Sequence, residues 1–424
     1  MWGAVPSLAD NRYLGPQGSD AATGTLNAPW KTLGKAHGLM AAGDTLFIRG
    51  GTYTGVTMDW SNSGSAGKPM VIKAYPGDTP VFQGNGSDTF MRSTGQYLIF
   101  DGLEISGYTR CAFNPTGGGH LTFRNCDMHD ILAQEYGAVT PQYCDNVVIE
   151  NNTFRKMGRS LTQTMFDHAI YNAAGSHDIV IRSNLFLDSH GGPAINHYHT
   201  PSPYNVLIYD NVFVMTLGSE RSGVFTGDGA HDVRVFNNTF YIDANGAETA
   251  YGVKFNSGNG TNEAVNNIFY WLGGDANSSI MAPGKFQDLT DGNLYFPSKD
   301  PDDTGAHSYV GDPLFVDAKA GDFHLSPGSP AINSGRTLNA VPRDLDGISR
   351  PIGSGFDIGA YEYPIATGLS GSAMGSRSRS ISERNRAVGE GHGHRYLFYP
   401  LQTTTPHSGD SRTGAFDAQG NRTR

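Results

Sequence analysis

Between positions 156 and 199 the sequence collects side chains that could move a proton or hold a charge. Asp167 and His168 are followed three residues later by Tyr171, His190 comes next, and Asn196-His197-Tyr198-His199 closes the window. Lys156 and Arg159 stand just upstream. A lone histidine is usually structural, but 4 of the chain's 14, His168, His190, His197 and His199, belong to this set. His and Tyr can serve as acid and base once their pKa values are tuned, while Arg, Lys and Asn can stabilise a developing negative charge. On this reading Tyr171 is the proton-transfer residue, with His199 first and His168 second as its partner. Arg159 and Asn196 are carboxylate binders, and Lys156, His190 and Tyr198 are further binding residues. Lys254 and Arg92, remote in sequence, are candidate cations of the same surface.

The elements that must bring these residues together are short and repeated. An Asn recurs at 152, 184, 211, 238, 267 and 293, in NNTF, SNLF, DNVF, NNTF, NNIF and GNLY, with weaker copies near Phe100 and Phe123. Each copy reads as a short apolar strand, a turn, a second strand such as IVIR, the Asn, and a third strand such as LFL. Units of this size cannot bury an apolar face alone, so they stack as a solenoid. Three strands per repeat predict an all-β parallel β-helix from about 44 to 300. The Asn is expected at a corner, tolerating left-handed backbone angles and bonding to its equivalent one coil away. Residues 28 to 41 read as an amphipathic helix capping the N-terminal end.

Aligning the first strands of successive repeats sets Met91, Phe113, Val139, Ile170, Ile195, Val224 and Val253 at one inward position. By alternation the next residues, Arg92, Asn114, Thr140, Tyr171, Asn196, Phe225 and Lys254, point outward and form a candidate groove. Alternation also turns His168 and His197 inward. Coils stack at about 4.8 Å, so Tyr171 and Lys254, three coils apart, cannot act on one carbon. The loop at 156–167 lengthens one repeat and should project on the functional face.

The 424 residues divide into a residual leader at 1–12, one solenoid domain at 13–363 and a tail at 364–424 rich in Ser, Arg and Gly, read as disordered. With 56 Gly and only 17% charged residues the composition suits a turn-rich β protein. A net charge of −10 argues against nucleic acid as partner, and no run is long enough to span a membrane. Cys111, Cys126 and Cys144 are either small buried side chains or members of a 111/126 or 126/144 bridge.

Two segments carry a family resemblance. APWKTLGKA and AGDTLFIRGGTY near the start, and GDPLFVD, DFHLSPGSPAINSG, DLDGISRP and GFDIGAYEY near Tyr363, resemble the opening and closing parts of secreted right-handed parallel β-helix proteins. These form the pectate-lyase-like group of polysaccharide lyases and epimerases. The resemblance implies secretion or a periplasmic location, an anionic polysaccharide as partner, a monomer, and calcium as an open cofactor. Four functions remain in play. β-Elimination from a uronate polymer leads, and a glycoside hydrolase using Asp167, Glu135 or Asp228 is next. An epimerase and a non-catalytic carbohydrate-binding solenoid follow.

Overall fold

The computed structural model describes residues 10–364 except 160–165, 218–219, 248, 257–260, 274–280, 283–287 and 302. The expected tail, most of the expected leader and the middle of the 156–167 loop lie outside the described residues. Asn11 and Arg12, assigned to the leader by sequence, belong instead to the first strand, Asn11–Leu14, which pairs in parallel with Thr45–Ile48.

Three parallel sheets, of 11, 9 and 11 strands, run the length of the molecule. Successive strands of the chain enter the three sheets in rotation, as His168–Ala173, His177–Arg182 and Leu185–Ser189 do for one coil. Each sheet thus pairs a strand with its equivalent one coil away, and like side chains stack. Phe154, Phe186, Phe213, Phe240, Phe269 and Tyr295 form one such column inside the solenoid, with ring centroids 4.5–5.2 Å apart. Towards the N-terminus the same register position holds Met128 and Ile105, then Phe82 and Tyr53, so a large apolar side chain fills it in every coil.

The asparagine corner forms an unbroken ladder. Asn184 donates its backbone N–H (2.9 Å) and its amide Nδ2 (3.0 Å) to Oδ1 of Asn211. The same pair of bonds links Asn152 to Asn184, Asn211 to Asn238, Asn238 to Asn267 and Asn267 to Asn293. The left-handed backbone angle expected at these residues belongs to the position just before them. Asn151, Ser183, Asp210, Asn237 and Asn266 have φ of 51–59°, and Gly292 has 65°. The ladder Asn is retained for its amide, and its predecessor makes the turn.

The expected helix over 28–41 is a five-residue helix, Leu33–His37, capped by Thr32, whose side chain accepts from Lys35 N. Leu33, Ala36 and Met40 enter the core, but the edge of the first sheet is extended by Asn11–Leu14 and the Leu14–Trp30 bridge rather than by a long helix. The three cysteines are free and buried, so neither bridge forms.

Residues 333–363 run back along the outside of the asparagine corner. Arg336 N donates to Asn266 Oδ1 (2.8 Å), and Asn237 Nδ2 donates to the carbonyl of Asp357 (2.9 Å). Leu345, Ala360 and Tyr361 cover Leu185, Val212, Val214 and Tyr241, while Val341 covers Tyr209, Phe236 and Val265. Each aliphatic side chain so covered stabilises the docked segment by roughly 1.5–3 kcal/mol. Arg350, fully buried, bridges Asp210 of the solenoid (3.0 Å) and Glu362 of the segment (2.6 Å).

Candidate functional site

The nine-stranded sheet carries the expected row in register. Tyr171 pairs with Asn196, Asn196 with Phe225, and Phe225 with Lys254, while Arg92 pairs with Asn114. The inward column from Met91 to Val253 is likewise in register.

Simple alternation fails one step before that column. Phe90 and Met91, Ala112 and Phe113, Ala138 and Val139, Ala169 and Ile170, and Ala194 and Ile195 are consecutive residues that both belong to the core. In one coil the N–H groups of Ala169 and Ile170 both donate to the carbonyl of Ala194, at 3.0 and 2.9 Å. Two residues opposite one is a bulge, and it returns the residue before the pair to the groove side. His168 therefore sits on the same side as Tyr171 and Asn196, which corrects the inward placement drawn from alternation. His197, two residues after the core pair's second member, does turn inward and is fully buried.

At the centre, His168 is almost fully buried beneath Tyr171, with ring centroids 5.4 Å apart. Its Nδ1 lies 2.8 Å from the Pro193 carbonyl, and its Nε2 lies 2.9 Å from Asn196 Nδ2. A carbonyl can only accept, so Nδ1 carries the proton and Nε2 accepts from the amide. Burial pushes the imidazole down to about 4, so it stays neutral. With both nitrogens engaged, His168 holds the amide of Asn196 in place and is closed to a reacting group, unlike the proton-transfer role expected from sequence. Oδ1 of Asn196 has no hydrogen-bond partner among the described residues.

Tyr171 is half-buried, and its hydroxyl has no hydrogen-bond partner among the described residues. Burial first, then Tyr198, Tyr136 and Asp228, push the phenol up to about 12, which favours donating a proton over acting as phenolate. His199, exposed at the end of the next strand, holds φ at 106°, and its Nδ1 donates to the Thr200 carbonyl at 3.1 Å. That bond leaves Nε2 as the lone-pair nitrogen. Tyr198 and Phe225 flank Gly227, where a Cβ would come within 2.7 Å of Phe225 and 2.8 Å of Tyr198. Glycine there lets two rings line the groove edge.

Cations divide sharply in their surroundings. Arg159 is held by Asp167 through Nε and Nη2, each at 2.8 Å, so the two-pronged face expected to meet a substrate carboxylate is already engaged. Arg92 is paired with Asp88 (2.7 Å) and Asp59 (3.4 Å), and Arg110 with Asp88 (3.8 Å). Lys254 has no carboxylate partner among the described residues; its Nζ lies 5.7 Å from the ring centroid of Tyr251. His190 is half-buried with its pKa lowered, mainly by burial, near Asp188 and Lys156. Thr140, expected outward, is buried, its hydroxyl exchanging bonds with the backbone of Gly137.

No three His, Cys, Asp or Glu side chains converge on one point among the described residues. Asp167 is spent on Arg159 and on the backbone N–H groups of Arg159 and Glu135, and Asp228 accepts from Thr200 Oγ1 at 3.1 Å. The described donor set does not fit a calcium centre, and no step below is routed through one.

Residues 12–175 match the family described as Pel9A-like, right-handed β-helix region. Over 78 residues, 18% of this chain, the sequence is 40% identical to pectate lyase PEL9 of Emericella nidulans, and the match spans 19% of that relative's length. The crystal structure of pectate lyase Pel9A superposes with a TM-score of 0.61 over 84% of this chain and 97% of that one, at 16% identity. A glycoside hydrolase superposes with a TM-score of 0.54 over 71% of this chain and 96% of its own, at 10% identity. Likeness at such identities speaks for the fold alone, which is shared across chemistries. Residues 12–175 are thus a Pel9A-like region within a chain that has the right-handed parallel β-helix fold of the pectate-lyase-like group.

Proposed function

We propose that the protein is a polysaccharide lyase, secreted or periplasmic and monomeric, which cleaves a uronic-acid-containing chain such as pectate or alginate by β-elimination. The observation that carries this reading is the groove row itself. Tyr171, Asn196, Phe225 and Lys254 stand in register with no carboxylate in the row, and among the described residues the phenol at one end has no hydrogen-bond partner and the cation at the other has no carboxylate partner. A polyanion is the complementary ligand. The curated relative over part of the chain is a pectate lyase, which adds support for the class.

The chemistry follows from the groups along the groove. A base removes the proton at C5 of the uronate, the electron pair forms the C4–C5 double bond, the C4–O bond breaks, and the leaving oxygen takes a proton. Nε2 of His199 is the base and the hydroxyl of Tyr171 the acid, while the amide of Asn196, held by His168, meets the charge that builds on the carboxylate. Lys254, about 14 Å away, pairs with the carboxylate of a sugar farther along the chain. A second assignment keeps the reaction and moves it: Lys254, next to Tyr251 and with no carboxylate partner among the described residues, is itself the base, and the centre binds.

The hydrolase alternative needs two carboxylates facing the groove. Asp167 is fully buried behind Arg159, which removes the member of that set nearest the centre. The test is incubation with polygalacturonate and with alginate, following both the absorbance of the unsaturated product and new reducing ends. A lyase raises both together. Reducing ends without absorbance make the protein a hydrolase, and binding with neither signal makes it a carbohydrate-binding solenoid.

A further inference from the structure

Directly behind the groove centre, inside the solenoid, three polar side chains stand in one column. Asn172, His197 and Thr226 are each the residue after a groove residue, and the registers Asn172–His197 and His197–Thr226 place them on three successive coils. All three are fully buried, and the column continues into the apolar core at Phe255. Among the described residues, each has one polar atom without a hydrogen-bond partner: Asn172 Oδ1, His197 Nε2 and Thr226 Oγ1. The one bond within the set joins Asn172 Nδ2 to His197 Nδ1 at 3.2 Å.

That bond settles which groups are left over. With the amide donating to Nδ1, the imidazole proton resides on Nε2, so the column presents one N–H donor, one carbonyl acceptor and one hydroxyl that can do either. Buried polar groups are almost always satisfied, by protein or by ordered water. A water molecule accepts at one side and donates two protons at the other, which is the complement of this set. Apolar contact cannot supply it, and neither can a cation, because an N–H and an inward amide hydrogen repel positive charge.

We propose that Asn172, His197 and Thr226 form an internal water-binding site in the solenoid core. The bound water accepts from His197 Nε2 and donates to Asn172 Oδ1 and Thr226 Oγ1, tying together the three coils that display Tyr171, Asn196 and Phe225 on the other side. The site is present whatever the groove binds, since none of its atoms reaches the surface.

A high-resolution crystal structure of the unaltered protein tests this directly, with electron density for one water within hydrogen-bond distance of His197 Nε2 and at least one of the two oxygens as the expected result. Continuous protein density, with Thr226 Oγ1 or Asn172 Oδ1 bonded straight to Nε2, would overturn it. In solution, imidazole ¹⁵N shifts should show His197 neutral with its proton on Nε2, and water ¹⁷O relaxation dispersion should lose a long-lived internal contribution in Thr226→Val. An Nδ1–H tautomer, or an unchanged dispersion in a folded Thr226→Val protein, counts against the site. His197→Phe, which fills the space with a ring, serves as the second variant and should abolish the same contribution.

Discussion

Asp167 and Arg159 are locked together by two parallel hydrogen bonds of 2.8 Å, and the carboxylate is wholly buried while the guanidinium is partly exposed. The carboxylate also takes the backbone N–H groups of Arg159 and Glu135, at 3.0 Å each. This pair anchors both loops that border the groove centre. Arg159→Ala should cost roughly 1–3 kcal/mol of stability, because a buried carboxylate loses its charged partner. Denaturant unfolding should register the loss, with little change in KM for a polyuronate. A raised KM with unchanged stability would return Arg159 to the role of substrate binder.

The asparagine ladder separates two jobs that a sequence pattern merges. Asn184→Ala leaves the Asn152 N–H without its buried acceptor and should lower stability by about 1–3 kcal/mol. Ser183→Gly, one residue earlier at φ 55°, relieves a left-handed serine and should leave the melting temperature unchanged or raise it. Equal losses from the two substitutions would mean that the corner depends on something other than amide bonding.

Acid should unfold the protein partly through its buried histidines. Burial holds His168 at about 4 and His197 at about 3, below the ordinary value of 6.5. Both folded values are depressed, so the stability they contribute is present above pH 6.5 and declines as the pH falls towards 4. Asp344 and Asp357 work in the opposite sense: burial raises each to about 6, so their contribution is present below the ordinary carboxylate value and is lost as the pH rises through 6. Comparing His168→Gln with the unaltered protein isolates the first effect. The variant should lose less stability between pH 7 and pH 4.5, and parallel profiles would show that His168 does not titrate in this way.

The solenoid, its Asn corner and the register of the groove row were legible because each depends on a side-chain class repeating at the same step. What was not legible is the bulge. Ala169 and Ile170 differ from an ordinary alternating pair only in that both are small enough or apolar enough to go inside, and a strand pattern of period two has no symbol for that. Alternation therefore predicts an inward His168, whereas in the fold it is on the groove side, under Tyr171. The engagement of Arg159 by Asp167 was equally hidden, since a bidentate pair eight residues apart across a loop leaves no periodic trace. The five-residue helix at Leu33–His37 was overestimated because the apolar spacing continues to Met40 after Gly38 has ended the turn.

The last prediction decides where on the groove the reaction takes place. Tyr171 and Lys254 are separated by two intervening rungs, Asn196 and Phe225, so a single sugar reaches one of them. Tyr171→Phe keeps the ring above His168 and removes only the hydroxyl, the group placed to protonate the leaving oxygen. It should lower kcat on a polyuronate by roughly two to four orders of magnitude with KM little changed, as loss of a general acid does. Lys254→Ala removes the cation at the other end of the row and should mainly raise KM, more so at low salt, where an ion pair with the substrate is least screened. If Tyr171→Phe turns over normally while Lys254→Ala is folded and inactive, the reacting uronate lies at the Lys254 end, the amine is the base, and Tyr171 with Asn196 binds the chain three coils away.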